Sequence, residues 1–229
     1  MTQNLLKRII TSIILLSLLI LINFSHQYIF ILSILILGLI ICFEANSLFL
    51  KLLNIRYPKK NSFIKHLNIK FITLNIITFC YIFFIFCNIS FDIYKTEGQF
   101  FFLYILSICF FTDIGGYVFG KLFGGAKLSR ISPNKTISGS IGSFTFSILP
   151  LIIVLNFHYL DLELNINNII ICLLISLVSQ LGDLFISFIK RKAKIKDTGN
   201  LLPGHGGVLD RVDGIIFAVP FSYILLRLI

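Results

Sequence analysis

The sequence predicts an all-α fold, a polytopic integral membrane bundle of about seven transmembrane helices, and three observations carry that reading. The 229 residues are 57% hydrophobic and 13% charged, where soluble domains run roughly 45–50% and about 25%. Mean hydropathy is +0.95. The apolar residues gather in stretches that approach the ~20 residues a helix needs to cross a bilayer core about 30 Å thick. Together these exclude a soluble globular enzyme, a disulfide scaffold and a disordered chain.

The stretches run over 9–24, 28–43, 71–90, 100–119, 141–156, 168–189 and 213–229. Only Ser25, His26 and Gln27 separate the first two, which predicts a helical hairpin with a tight turn. Lys7 and Arg8 precede the first stretch as in a secretory signal, but no small-residue cleavage site follows, so a retained helix is expected. With the N-terminus inside, the cytoplasmic side receives Lys7 and Arg8; Lys51, Arg56, Lys59, Lys60, Lys65 and Lys70; Lys121, Lys127, Arg130 and Lys135; and Lys190, Arg191, Lys192, Lys194, Lys196 and Arg211. Only Lys95 and Arg227 fall outside, so the positive-inside rule predicts N-in, C-out. The net charge of +10 then reflects topology and anionic lipid rather than nucleic acid. The five cysteines all lie in apolar stretches without metal-ligand spacing and read as small buried hydrophobes. One transmembrane domain over 1–229 is expected, with N-terminal spans in 1–90 and the chemistry in 100–229.

Two cytoplasmic loops, 120–140 and 190–212, hold most of the glycine, proline, serine and charge outside the spans. Two acids stand inside spans, Asp113 in FFTDIGGYVFG and Asp183 in SLVSQLGDLFISFIK. An ionised Asp in hydrocarbon costs roughly 2.5–3.5 kcal/mol, so such a residue faces the bundle with a partner. The alternatives are a functional group or a structural hydrogen bond between helices. Ser176, Gln180, Asp183, Ser187 and Lys190 follow a 4-3-4-3 spacing, one polar stripe on an otherwise apolar helix. Thr112, Gly116 and Gly120 form a small-residue face where a second helix can approach closely.

The segment KIKDTGNLLPGHGGVLDRVDG concentrates Lys196, Asp197, His205, Asp210, Arg211 and Asp213 around Gly204, Gly206 and Gly207. Glycines let backbone N–H groups approach an anion, and a helix N-terminus favours phosphate. Asp210 and Asp213, three apart, share a helix face, and with Asp183 they offer oxygen ligands for one or two hard cations such as Mg²⁺. The bland alternative is a charged loop capping a helix. The segment KLSRISPNKTISGSIG supplies Ser132, Lys135 and Thr136 as phosphate donors but contains neither a P-loop nor a dinucleotide-binding turn. These features point to metal-assisted phosphoryl or nucleotidyl chemistry on a lipid head group at the inner leaflet.

The run from Ser187 to Asp213, SFIKRKAKIKDTGNLLPGHGGVLDRVD, resembles the signature of the phosphatidate cytidylyltransferase (CDP-diacylglycerol synthase) family. Ser187, Lys190, Arg191, Lys196, Asp197, Pro203, His205, Gly206, Gly207, Asp210, Arg211 and Asp213 stand in register with it. QLGDL, the Asp113 region and the Ser132–Thr136 loop fit as well, so the resemblance covers about the C-terminal half. One departure stands out: Ile137 and Ser138 replace the aromatic and the acid that usually precede the glycine of that loop.

The resemblance implies Mg²⁺-dependent transfer of a cytidylyl group from CTP to phosphatidate, yielding CDP-diacylglycerol and pyrophosphate in phospholipid biosynthesis. It implies a multi-pass enzyme of the bacterial inner membrane, active on the cytoplasmic side, and a homodimer. The phosphate of phosphatidate ionises a second time at about pH 6–7, so it needs no general base; it needs cations to bring it to a triphosphate. The implied roles are cation ligands for Asp183 and Asp210, further ligands from Asp113, Asp197 and Asp213, and phosphate neutralisation by Lys190, Arg191, Lys196 and Arg211. His205 donates to a phosphate oxygen or orders the loop. Ser132, Lys135, Thr136, Gly206 and Gly207 bind substrate. A CTP-dependent polyprenol or phytol kinase and an ion-coupled transporter remain as rival readings.

Overall fold

The computed structural model describes residues 2–55, 69–129, 132, 135–157, 160, 162–204 and 206–228. His205 and the basic residues Arg56, Lys59, Lys60, Lys65 and Arg130 lie outside the described residues. The chain is all-helical: among the described residues there are no strands, only two isolated bridges, Lys127 with Thr136 and Leu202 with Gly206. In order come α1 (Thr2–Asn23), α2 (Gln27–Leu52), α3 (Ile69–Cys80), a π-helical stretch (Tyr81–Cys87), α4 (Asn88–Thr96), α5 (Gln99–Phe123), α6 (Ile137–Ser147), α7 (Leu149–Phe157), α8 (Ile166–Lys192), α9 (Leu209–Val212) and α10 (Ile215–Leu228).

Among the described residues each expected apolar stretch lies largely on helix. Five described runs are long and apolar enough to cross a membrane: Gln27–Leu52, Ile69–Thr96, Gln99–Phe123, Ile137–Phe157 and Ile166–Lys192. The first stretch lies on α1, and the last begins at Ile215 rather than Asp213: α10 has 14 residues, which reach only about 21 Å. The π-helical turn inside Ile69–Thr96 and the break at Ile148 interrupt two spans without ending them. The latter follows from Pro150, which has no N–H to continue the ladder.

By internal contacts the chain forms two compact units, Met1–Cys87 with Ile189–Val212, and Asn88–Phe188 with Asp213–Ile229. In the first unit α1 and α2 make the expected hairpin, and His26 caps α2 by accepting from the Tyr28 N–H. Phe30, Ile34, Ile41, Ala45 and Leu48 line the buried face of α2. The helix runs on past Phe43, where the sequence placed the end of the span, and closes at Leu52 with Asn54 in the left-handed region (φ 51°). Lys194 takes the same conformation (φ 56°) two residues after α8, and the Ile195 N–H returns to the Lys190 carbonyl at 3.0 Å. This turn throws the chain out of the helix and into the segment rich in charge and glycine.

In the second unit α5 packs most extensively on α6. A Cβ on Gly139 would lie 2.8 Å from the Gly116 carbonyl oxygen, so the two backbones meet through glycine, as the small-residue face predicts. Ser143 Oγ donates to the Thr112 carbonyl across the same contact at 2.8 Å. Gly182 and Gly214 likewise let α8 approach the start of α10, where Phe185 and Phe217 meet edge to face.

Candidate active site

The segment after α8 is organised by two carboxylates. Asp210 Oδ1 accepts from Lys190 Nζ at 2.7 Å, and Oδ2 accepts from the Thr198 N–H at 2.8 Å and the Gly207 N–H at 3.0 Å. The side chains of Lys190 and Asp210 are 10% and 5% exposed. Burial pushes the Asp210 carboxyl up, but the Lys190 hydrogen bond, the two backbone N–H groups and the Lys190 charge outweigh it and hold the group below the usual carboxylate value. The anion that the Gly207 N–H faces is therefore Asp210 itself. Gly206 (φ 86°) lies against Asp197 and Asp210, where a Cβ would come 3.0 Å from Asp210 Oδ2.

The second carboxylate is Glu44 of α2, 1% exposed. Its Oε1 accepts from the Val208 N–H at 2.9 Å; its Oε2 accepts from Thr198 Oγ1 at 2.9 Å and the Leu209 N–H at 2.8 Å. Sequence reasoning misses Glu44, because an apolar span ending at Phe43 leaves it in a loop. The signal was present: once α2 runs to Leu52, Glu44 is a lone acid inside a span, like Asp113 and Asp183. Lys196, Asp197, Arg191 and Arg211 stand exposed on this unit, and Arg191 Nη1 also donates to the Ile195 carbonyl at 3.3 Å.

The second unit carries the other group of expected residues. Asp183 pairs with Lys135 Nζ through Oδ2 and accepts from Ser187 Oγ through Oδ1 at 3.2 Å; the paired side chains are 27% and 29% exposed. The polar stripe of α8 is hydrogen-bonded: Ser140 Oγ donates to Gln180 Oε1 at 2.6 Å, and Gln180 Nε2 donates to Ser176 Oγ at 3.3 Å. Thr136 caps α6, its Oγ1 accepting from the Gly139 N–H at 3.1 Å. Ser138, the departure from the family pattern, donates to the Gly124 carbonyl and so ties the loop to the end of α5. Ser132 is half-buried, Asp113 is exposed on α5, and Asp213 accepts from the Gly214 N–H at 3.0 Å.

Among the described residues no three His, Cys, Asp or Glu side chains gather into a ready-made cation cage. Mg²⁺ does not need one, since it commonly takes one or two carboxylates and completes its shell with water and substrate phosphates. The donor chemistry fits on one further count: Asp183 and Asp210 each hold a lysine ammonium, the counter-charge a bound cation would supply.

Helices of membrane-crossing length, bearing a segment dense in acids and bases and a polar stripe within one span, define a helical membrane protein. The comparison with known families gives the class a name. The model of the cytidylyltransferase family matches residues 47–229, and the chain belongs to that family. It is similar to the phosphatidate cytidylyltransferase of Staphylococcus haemolyticus (strain JCSC1435), 42% identical over 134 residues, 58% of this chain and 51% of that protein. The proteins of the same name from Staphylococcus aureus (strain COL) and Staphylococcus epidermidis (strain ATCC 12228 / FDA PCI 1200) are 44% identical over 135 residues, again 58% of this chain and 51% of theirs. The chain spans about half the length of the curated relatives it matches.

Proposed function

We infer that this chain transfers a cytidylyl group from CTP to phosphatidate, releasing pyrophosphate and leaving CDP-diacylglycerol in the membrane. The observation that carries the reading is the segment from Lys190 to Arg211. The residues that match the cytidylyltransferase signature are there folded around one carboxylate, Asp210, with Lys190 on it and Lys196, Asp197 and Arg211 facing out. The relatives named phosphatidate cytidylyltransferase support the choice of nucleotide and lipid.

On this reading the nucleophile is the phosphate of phosphatidate, largely dianionic above about pH 7, so no residue must remove a proton. The residues instead bring two anions together and hold the attacking oxygen in line with the α-phosphorus. Lys196, Arg191 and Arg211 neutralise phosphate oxygens, with Lys190 shared between substrate and Asp210. Ser132, Lys135, Thr136, Gly206 and Gly207 belong to the substrate-binding set, and His205 to the same segment. Asp183 and Asp210 are the carboxylates proposed to hold Mg²⁺, with Asp113, Asp197 and Asp213 as further oxygen donors to it or to a second cation. Bound there, Mg²⁺ supplies charge stabilisation to the phosphoryl oxygens and the leaving pyrophosphate. The orientation that suits the chemistry is N-in, C-out in the cytoplasmic membrane of a bacterium, with CTP arriving from the cytoplasm, the lipid lifted from the inner leaflet, and two chains forming a homodimer.

The test is label transfer with purified protein in micelles of detergent and phosphatidate. Label on the α-phosphate of CTP is expected to move into the lipid fraction, and only with Mg²⁺ present. Label that moves instead from the γ-phosphate to a polyprenol or phytol overturns the reading in favour of a kinase.

A further inference from the structure

We propose that Glu44 is a positioning residue for the transfer, acting through the segment that carries Lys196, Asp197, Asp210 and Arg211; the inference rests on the cytidylyl reading for its kinetic consequence. Glu44 sits on the buried face of α2 beside Ile41, Ala45 and Leu48, where the other buried neighbours along the face are apolar. An acid there without partners would be strongly unfavourable. Instead both of its oxygens are engaged, and all three donors come from one segment, residues 198–209.

The points of attachment argue for more than packing. Thr198 follows Asp197 directly, and Val208 with Leu209 precede Asp210 and Arg211 directly. Glu44 therefore holds the Thr198 side chain just after the Lys196–Asp197 pair and the Val208 and Leu209 backbone just before the Asp210–Arg211 pair. Oε2 accepts from Thr198 and Leu209 at once, so these two points are kept no further apart than two hydrogen bonds through one atom. Asp210 repeats the constraint by taking the Thr198 N–H on one of its own oxygens. Gly199 and Gly207 are small because the Glu44 carboxylate lies against them: a Cβ on Gly199 would stand 2.7 Å from Oε1. Ser47, one turn further along α2, adds a long 3.4 Å hydrogen bond to the Thr198 carbonyl. Displacements of about 1 Å at groups that orient a reaction can cost about 10²-fold in rate.

The discriminating variants are Glu44→Gln, Thr198→Val and Thr198→Ser. Gln keeps the volume but offers one acceptor oxygen and turns an NH₂ group onto donors. Amide hydrogen exchange in detergent, followed by mass spectrometry, reads the clasp without reference to activity. In E44Q the peptide holding Val208 and Leu209 is expected to exchange faster while peptides of α5 and α6 stay as in wild type. In the label-transfer assay kcat is expected to fall about 10²-fold with the KM for CTP near its wild-type value, since the residue touches no substrate. T198V is expected to lower kcat in the same way, and T198S, which keeps the hydroxyl, to restore it. Wild-type exchange and wild-type kcat in E44Q overturn the inference. If E44Q unfolds as a whole, T198V decides: a normal kcat there overturns it, and a lowered kcat rescued by T198S sustains it. A wild-type protein that moves no label sinks the cytidylyl reading and the kinetic role of Glu44 with it, whereas an active wild type beside an unaffected E44Q sinks the Glu44 inference alone.

Discussion

Two lysine–aspartate pairs in this chain have the same chemistry and opposite settings. Lys190 and Asp210 are at most one-tenth exposed at the side chain, and Asp210 also takes two backbone N–H groups. Lys135 and Asp183 are more than one-quarter exposed, and the Ser187 hydroxyl also donates to that carboxylate. Main-chain donors make the difference. A carboxylate that backbone N–H groups hold is built into the loop whose shape it sets. One that flexible side chains hold can exchange its partner for a cation or a phosphate-bound ion at small cost. The first pair is fixed in place by the loop around it; the second, among the described residues, is held by side chains alone.

The largest expected effect comes from breaking the buried pair. Lys190→Met leaves Asp210 buried without its counter-charge and should cost about 3–5 kcal/mol, read as lost thermal stability in detergent; a loss below about 1 kcal/mol would erase the contrast with the exposed pair. The same pair predicts a pH limb. Because the Asp210 carboxyl lies below its ordinary 3.8 in the folded chain, its stabilisation is fully present above that value and is lost as the pH falls through the lowered one. Melting temperature in wild type should therefore drop more steeply below pH 3.8 than in Asp210→Asn; parallel limbs would remove Asp210 as the cause. Next in size, Thr136→Ala removes the α6 cap and should cost about 1 kcal/mol by thermal unfolding. Smallest in stability, Asp183→Asn should cost about 0.2–1 kcal/mol while label transfer to phosphatidate disappears. A D183N protein that keeps near-normal turnover would take Asp183 out of the machinery.

The apolar spans were legible because hydropathy alone marks them, and the polar stripe of α8 because a 3.6-residue period needs no partner to be seen. Helix ends were less so. Glu44 and Lys51 look like a loop beginning, yet the chain stays helical to Leu52 because the face through Ala45, Leu48 and Phe49 is still buried. At the site, the residues of the Lys190–Arg211 segment could be picked out by type and spacing, but their arrangement could not. Val208 and Leu209 reach Glu44 with main-chain N–H groups, which every residue except proline possesses, so no side chain announces the contact. Ser138 was visible only as a departure from the family pattern. Its bond to the Gly124 carbonyl shows that the position now fastens a loop to the end of α5.

The clasp on Glu44 also sets a timetable for biosynthesis. Its partner Val208 lies 164 residues further along the chain, which at about 5–20 residues per second is roughly 8–30 s of translation. Through that interval α2 has been made while the donors that complete it have not. A newborn chain must shelter that acid by other means until residues 198–209 have been made, and any pause before residue 198 prolongs the wait.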